Sequence, residues 1–269
     1  MKVLGSISLA IALAASLAAP AHAGAIHDAG LFTNVLAAND DGSTGLVNLG
    51  FAANINSTTF TQTYVNNNGN ITFTNPLSTF TPGAISSGSF GPIIAAFFAD
   101  VDTRAAGSDP VRYGSNVLGG RNVFGVNYIN VGVFNALSIF NSFQMILTDR
   151  IDVAAGDFDI QFNYDRIVWE SGQASGSNNQ GLGGTSALVG YWTGPTSAAT
   201  LPGSLVNGAL INGGPNALIS HSLNSNVLGQ YNFQVRGGRV VTVPEPSALA
   251  LVGLALAGLG VMSRKKRAA

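Results

Sequence analysis

The fold class of this chain is decided by the stretch Phe158-Asp-Ile-Gln-Phe-Asn-Tyr164. Its apolar side chains alternate with Asp, Gln and Asn, and successive side chains of a β-strand point to opposite faces of the sheet. The stretch therefore predicts a strand with one buried face and one polar face. Ser142–Thr148 has the same alternation, and the intervening residues Asp149–Asp157, which include Gly156, predict a hairpin with a long loop.

Four further segments extend the strand pattern along the chain. Apolar and polar residues alternate in Val123–Ile129, Ala187–Trp192 and Gln230–Val235, whereas Pro92–Ala99 is apolar almost throughout. A continuous apolar run is typical of a strand that is buried on both faces. No segment between Gly24 and Val243 shows an apolar stripe of helical period, so we expect residues 24–243 to form an all-β fold, a single large β-sandwich-like domain.

Turns are predicted where Gly and Asn cluster between these strands. The clusters lie at residues 66–70, 171–184 and 212–215. Both residue types tolerate a positive φ, so we expect Gly and Asn to occupy the left-handed turn positions.

The charge content of the chain excludes several functional classes. Only 9% of the 269 residues are charged, against about 25% in an average soluble domain. Residues 24–243 contain seven basic side chains, all arginine, and twelve acidic ones, which gives a net charge of 7 − 12 = −5. This segment has no basic footprint for nucleic acid. The chain has no cysteine, which excludes disulfides and thiolate metal sites.

Residues 1–23 have the three parts of a secretory signal peptide. Lys2 supplies the positive start, an apolar run follows, and the small residues Ala21 and Ala23 occupy the cleavage positions. We therefore expect the mature chain to begin at Gly24. The alternative is a plain N-terminal membrane anchor, but the run ends in small residues rather than a stop-transfer flank.

The C-terminal residues 244–269 also have three parts. Pro244-Glu245-Pro246 comes first, Ala248–Met262 is uncharged and largely apolar, and the basic end follows as Arg264, Lys265, Lys266 and Arg267. Fifteen helical residues span roughly 22 Å, less than the roughly 30 Å of a bilayer core. The segment predicts a single apolar membrane helix over 248–262 that spans only marginally, with its basic end in the cytoplasm. The two prolines keep the preceding backbone extended and accessible.

This tail resembles the PEP-CTERM sorting signal of Gram-negative bacteria, whose elements occur here in the same order. The resemblance implies recognition through Pro244, Glu245 and Pro246 and cleavage nearby by a membrane-embedded exosortase. It also implies a bacterium that makes exopolysaccharide.

The β-segments resemble the NIDO domain, an extracellular domain first described in nidogen. Three pieces carry the resemblance: Ala99-Asp-Val-Asp-Thr-Arg104, Asn141-Ser-Phe-Gln144, and Phe162-Asn-Tyr164 followed by Trp169. The match covers roughly residues 34–237. It implies an extracellular role in matrix and cell–matrix adhesion, and it brings no catalytic motif. Nidogen's partner-binding modules are absent from this sequence.

Asp100 and Asp102 form the sharpest candidate site. Two carboxylates that are two residues apart lie on one face of an extended chain. With Asp109 and further oxygens they could bind calcium, which takes six to eight oxygen ligands. The alternative is that Arg104 or Arg112 pairs with these aspartates and holds a turn.

The sequence leaves three functions open. Our first hypothesis is an exported, non-enzymatic matrix or adhesion protein without a cofactor. It would be an inner-membrane intermediate through its C-terminal helix, and then reach the cell surface, the outer envelope or the extracellular matrix. Its expected partners are an exosortase and matrix or exopolysaccharide, not nucleic acid. The second hypothesis is a calcium-dependent polysaccharide-binding module.

The third hypothesis is a secreted glycoside hydrolase, which needs a pair of carboxylates about 5–10 Å apart. The candidate acids and sugar-stacking rings are Asp100, Asp102, Asp165, Glu170, Trp169 and Trp192. His27 and His221, the histidines outside the signal peptide, are predicted to be exposed polar residues rather than general bases.

Overall fold

The computed structural model describes residues 24–135 and 138–241, and within them regular structure is almost entirely β. Two short 3-10 helices, Ile85–Ser87 and Gln173–Ser175, are the exceptions among these residues. The strands in chain order are β1 (Asn34–Val35), β2 (Val47–Ile55), β3 (Thr58–Asn66), β4 (Asn70–Thr72), β5 (Ile93–Phe98), β6 (Arg112–Leu118), β7 (Arg121–Val131), β8 (Asn141–Asp149), β9 (Phe158–Arg166), β10 (Leu188–Gly194), β11 (Ser197–Thr200), β12 (Gln230–Arg236) and β13 (Arg239–Val241).

The strands form two antiparallel sheets. One sheet has seven strands in the order β1-β6-β7-β8-β9-β12-β13, and the other has six in the order β11-β10-β5-β4-β3-β2. The all-β prediction is therefore confirmed, and each segment predicted as a strand lies in one. The predicted hairpin joins β8 to β9, with Met145 opposite Phe162 and Leu147 opposite Ile160.

The main core lies between the two sheets. Phe158, Ile160, Phe162 and Tyr164 all point into it and are at most 2% exposed, as their alternation predicts. Aromatic contacts join the layers: the Phe97 ring of β5 lies 5.6 Å from Trp169, centroid to centroid, in an edge-to-face arrangement. Such pairs add stability beyond the burial of their apolar area.

The other face of the six-stranded sheet is covered as well. All six residues of β5 are buried, which confirms the prediction of a strand buried on both faces. Ile93, Ala95 and Phe98 pack with Leu188 and Ile85 in a second apolar cluster outside the main core. The 3-10 helix before β5 therefore covers part of the outer face of this sheet.

The N-terminal residues cover part of the outer face of the seven-stranded sheet. Phe32 packs there on Val123 and Ile146. A Cβ at Gly125 would lie 1.9 Å from the Phe32 ring, so glycine at this position admits the ring. His27 lies in the same segment, where its Nε2 is 2.8 Å from Oε1 of Gln161. The prediction that His27 is exposed is therefore wrong, since it is half-buried, whereas His221 is exposed as expected.

On the polar face of this sheet, neutral amide side chains form hydrogen bonds between strands. Gln144 Nε2 donates to Asn127 Oδ1 at 2.8 Å, and Asn163 Nδ2 donates to Gln144 Oε1 at 3.0 Å. Gln161 Nε2 donates to Asn232 Oδ1 at 2.9 Å. Four strands are thus connected by neutral hydrogen bonds, consistent with the low charge content of the chain.

The turn clusters lie where the sequence predicts them, but their chemistry differs in one respect. Within residues 66–70, 171–184 and 212–215 every residue with positive φ is a glycine, and none is an asparagine. The prediction that asparagine supplies left-handed turn positions in these clusters is therefore wrong. In the turn at 66–70 the asparagine side chains are instead buried.

Several predicted features lie outside the described residues. They are the signal peptide with Ala21 and Ala23, the sorting motif Pro244-Glu245-Pro246, the apolar helix over 248–262 and the basic end at 264–267. Within the residues that are described, no helix has the length and apolar character needed to cross a membrane.

Candidate functional site

Three aspartates meet where β5 ends. Asp100 follows β5 closely, whereas Asp40 and Asp41 lie in the loop between β1 and β2. One carboxylate oxygen from each residue lies within 4.8 Å of the other two. We call Asp40, Asp41 and Asp100 the aspartate cluster.

The turn between β3 and β4 packs against β5 and contacts the aspartate cluster. Gly69 has φ +75, and a Cβ there would lie 1.8 Å from the carbonyl oxygen of Phe97. The glycine carbonyl accepts a hydrogen bond from the Phe97 amide at 3.1 Å. Position 69 therefore needs glycine for both its backbone conformation and its close approach to β5.

Two buried asparagines of this turn join the aspartate loop to the segment after β5. Nδ2 of the Asn67 side chain donates to the backbone carbonyl oxygens of Asp40 and Val101. Asn68 Nδ2 donates to Asp41 Oδ1 at 2.9 Å, and its Oδ1 accepts the Val101 amide at 2.9 Å. Both side chains are at most 1% exposed. The positions of Asp40 and Asp41 are thus fixed by neutral donors.

Asp100 has a buried carboxyl oxygen without a hydrogen-bond partner among the described residues. The residue is only 2% exposed, and its Oδ2 accepts no hydrogen bond from any described residue. Burial, followed by the negative charges of Asp40, Asp41 and Asp102, raises the pKa of Asp100 to about 7.

Asp40 is perturbed in the same direction. Burial and the charges of Asp41 and Asp102 raise the pKa of Asp40 to about 6, although Arg104 opposes the shift. Its Oδ1 is buried without a hydrogen-bond partner among the described residues, while its Oδ2 lies 2.8 Å from Nη2 of Arg104. Two carboxylates of the cluster therefore each have a buried oxygen that no described protein donor satisfies.

Asp102 is occupied by an ion pair. Arg104 donates from Nε to Asp102 Oδ1 and from Nη2 to Oδ2, both at 2.9 Å. Arg104 therefore pairs with Asp102, as the alternative expects for one of the two aspartates, but among the described residues no arginine pairs with Asp100. Arg112 forms no ion pair among the residues that the structure describes.

The structure groups the acidic residues differently from the expected calcium site. Asp100 meets Asp40 and Asp41, whereas Asp109 lies beside Arg112 at a hollow of the other sheet. Asp40 and Asp41 are not part of the site predicted from sequence. The signal for them was the run Asn39-Asp-Asp-Gly42, in which two adjacent acids precede a glycine. Whether calcium binds stays a prediction.

Two of the residues considered for glycoside hydrolysis, Trp169 and Glu170, make structural contacts. Trp169 is fully buried against Phe97, so its ring is not open to a sugar. Glu170 is also fully buried and accepts the amides of Gly208 and Leu210, each at 2.6 Å. Burial raises the pKa of Glu170. These contacts hold the loop after β11 against the end of the sandwich.

Two of the three sequence motifs that carry the family resemblance, those around Asn141 and Tyr164, likewise make structural contacts. The fully buried Asn141 accepts the amides of Val168 and Trp169 through Oδ1, at 2.8 and 3.3 Å. Its Nδ2 donates to the Trp169 carbonyl at 2.9 Å. Tyr164 donates its hydroxyl to the Ala96 carbonyl at 2.6 Å, which connects β9 to β5 across the core.

Comparison with known proteins identifies two segments of the chain. Residues 22–212 match the family described as NIDO related, and residues 242–267 match the PEP-CTERM protein-sorting motif. The two matches together indicate an exported protein that is directed to the cell surface and processed by an exosortase.

Similar curated proteins include alpha-tectorins of vertebrates. The chain is 30% identical to alpha-tectorin of Gallus gallus over 238 residues, which cover 80% of this chain and 10% of that protein. It is also 30% identical to alpha-tectorin of Mus musculus over 225 residues, which cover 75% of this chain and 10% of that protein. The chain thus spans about a tenth of the length of these relatives. No solved structure shows significant similarity. The chain belongs to the NIDO-related family.

Proposed function

We propose that this protein is a non-enzymatic component of the extracellular matrix or cell surface, exported and then processed at its PEP-CTERM tail. The observation that carries the proposal is the combination of a NIDO-related β-domain with that sorting signal in one chain. A sorting signal of this kind concerns delivery, so function after delivery rests on the β-domain.

The chemistry of the β-domain supports a binding or scaffolding role. The buried polar residues that stand out, Asn141, Tyr164 and Glu170, hold loops and strands together through backbone groups. Without its two terminal segments the domain has a net charge of −5. An acidic domain does not attract anionic polymers by charge alone, so contacts with an acidic polysaccharide would depend on hydrogen bonds or on bridging cations.

The proposal is tested by following the protein in its bacterial host. We expect Glu245→Ala to block tail processing, so that full-length precursor accumulates in the inner-membrane fraction, whereas the neighbouring Ser247→Ala variant is processed normally. Immunoblots of inner membrane, outer envelope, matrix and medium give the readout. Normal processing and location of the Glu245→Ala protein would contradict the sorting step. A processed protein that is absent from both surface and matrix would contradict the matrix role.

Polysaccharide binding is a second candidate, and a polar hollow on the seven-stranded sheet favours it. The hollow is lined by Thr148, Asp159, Gln161, Asn224, Asn232, Phe233 and Gln234. Amide and carboxylate groups can pair with sugar hydroxyls, which both donate and accept hydrogen bonds.

The test is co-sedimentation of the purified protein with the host's own exopolysaccharide. We expect Gln234→Ala, in the hollow, to reduce the bound fraction. Asn122→Ala, at an exposed position of β7 in the same sheet, is the control and should leave it unchanged. Equal binding of the two variants would place the contact elsewhere.

A further inference from the structure

Two members of the aspartate cluster have no counter-charge among the described residues. Arg104 contacts Asp40 and Asp102, and within the described residues no basic side chain forms an ion pair with Asp41 or Asp100. Counting Asp102 and Arg104 with the cluster, the ionised group has a charge of −4 + 1 = −3. Partly buried carboxylates so close together are destabilising while they are ionised, unless a cation accompanies them or a proton neutralises one of them.

A second observation points to a ligand. Asp100 is the most buried residue of the cluster, at 2% exposure, and its Oδ2 has no hydrogen-bond partner among the residues that the structure describes. Oδ1 of Asp40 is also buried and has no partner in the described part of the chain. Buried polar oxygens are nearly always hydrogen-bonded or bound to an ion in folded proteins, so these two oxygens point to a partner other than the described residues.

The packing around Asp100 keeps its carboxylate in place. A Cβ at Gly172 would lie 2.1 Å from Asp100 Oδ2, so this position admits no side chain and the backbone closes one side of the site. On the other side, Asn68 donates to Asp41 Oδ1 and Arg104 donates to Asp40. The carboxylates are therefore positioned by their surroundings although they repel one another.

The donor set identifies the class of cation. All three candidate ligands are carboxylates, without His or Cys, which suits a hard cation rather than zinc or copper. Calcium binds oxygens at about 2.3–2.6 Å, so two of its ligands lie at most about 5 Å apart. The 4.8 Å limit on the three oxygens agrees with a single ion. We propose that Asp40, Asp41 and Asp100 bind one calcium ion, with water and backbone carbonyls completing its coordination.

Such an ion would join two parts of the chain that are distant in sequence. Asp40 and Asp41 belong to the loop before β2, and Asp100 follows β5. The ion would add to the neutral bridge made by Asn67 and Asn68 between the same segments. Calcium binding would therefore stabilise the folded domain, because the unfolded chain does not bring the three aspartates together.

The test uses the full chain, purified in mild detergent and stripped with EDTA, with CaCl2 as the probe. We expect titration calorimetry to show one site with a Kd of about 10⁻⁴–10⁻³ M, as in other extracellular modules. At ten times that Kd, the melting temperature should rise by about 3–6 °C. Asp41→Asn should weaken binding tenfold or more, whereas Asp165→Asn, an exposed acid elsewhere, should bind like the wild type.

Asp100→Asn separates ion binding from simple misfolding. This change removes a repelling charge and gives Asp40 an amide neighbour, so the variant should melt in EDTA at or above the wild-type temperature. It should not respond to CaCl2. The proposal is overturned if the wild type shows neither heat nor a melting shift in 10 mM CaCl2. It is equally overturned if both variants respond like the wild type, or if MgCl2 produces the same shift. None of these results depends on tail processing or on matrix location.

Discussion

Asn141 offers a direct test of how this sandwich holds the chain after β9. The side chain is fully buried at the start of β8 and makes three hydrogen bonds, two from backbone amides and one to a carbonyl. Asn141→Ala removes all three and leaves the backbone groups of Val168 and Trp169 unpaired in the core. At about 1–1.5 kcal/mol for each bond, the unfolding free energy should fall by roughly 3–5 kcal/mol.

Urea unfolding, followed by tryptophan fluorescence, measures this loss, because Trp169 packs inside the core beside Phe97. The melting temperature should fall by about 6–20 °C, from about 2–4 °C per kcal/mol for a domain of this size. Asn141→Leu fills the space but makes no hydrogen bond, so a loss as large as that of Asn141→Ala would assign the effect to the missing bonds rather than to a cavity.

Asn122→Ala is the matched control, since Asn122 is exposed on the adjacent strand β7. It should change the unfolding free energy by no more than about 0.5 kcal/mol. A cost below about 1 kcal/mol for Asn141→Ala would refute the reasoning, because the three backbone groups would then have found other partners.

Three further predictions concern other parts of the sandwich. Gly69→Ala should reduce soluble yield and melting temperature severely, because its Cβ would overlap the Phe97 carbonyl; Gly119→Ala, at a positive φ in open space, should cost much less. Tyr164→Phe should lower the unfolding free energy by about 1–3 kcal/mol in urea titrations, because the Ala96 carbonyl loses its donor. The pKa of Glu170 is raised in the folded state. Its protonation therefore stabilises the fold fully at a pH below the pKa of an ordinary glutamate, and this stabilisation is lost as pH rises through the folded-state pKa. The unfolding free energies of the wild type and of Glu170→Gln are compared at pH 4 and pH 8. The wild type should lose stability relative to the variant as pH rises, and a difference between the two proteins that does not change with pH would contradict this.

The strand pattern could be predicted from sequence because it depends on neighbours in the chain. Phe158, Ile160, Phe162 and Tyr164 are two residues apart, and the pleat of a strand alone puts them on one face. The fully apolar β5 could be predicted for the same reason, since only a doubly covered strand tolerates such a run.

The candidate site could be predicted only in part because it depends on tertiary contacts. Asn67 and Asn68 follow a turn pattern, but their burial results from segments at 40–41 and 101, which are distant in sequence. Asp40 and Asp41 join Asp100 for the same reason. The burial of His27 could not be predicted, because nothing in its neighbours indicates that the N-terminal segment packs on the amide side chains of the sheet.

The position of β13 limits where the domain can sit before its tail is cut. β13 is the edge strand of the seven-stranded sheet, and its last residue, Val241, is only three residues before Pro244. Even a fully extended chain covers at most about 11 Å in three residues and about 25 Å in the seven that lead to Ala248. If the apolar segment from Ala248 enters the bilayer, this short tether holds the β13 edge close to the membrane surface. A protease acting at the Pro-Glu-Pro motif would then have to fit between the folded domain and the lipid, and the opposite edge of the sandwich would be the one free to meet large partners.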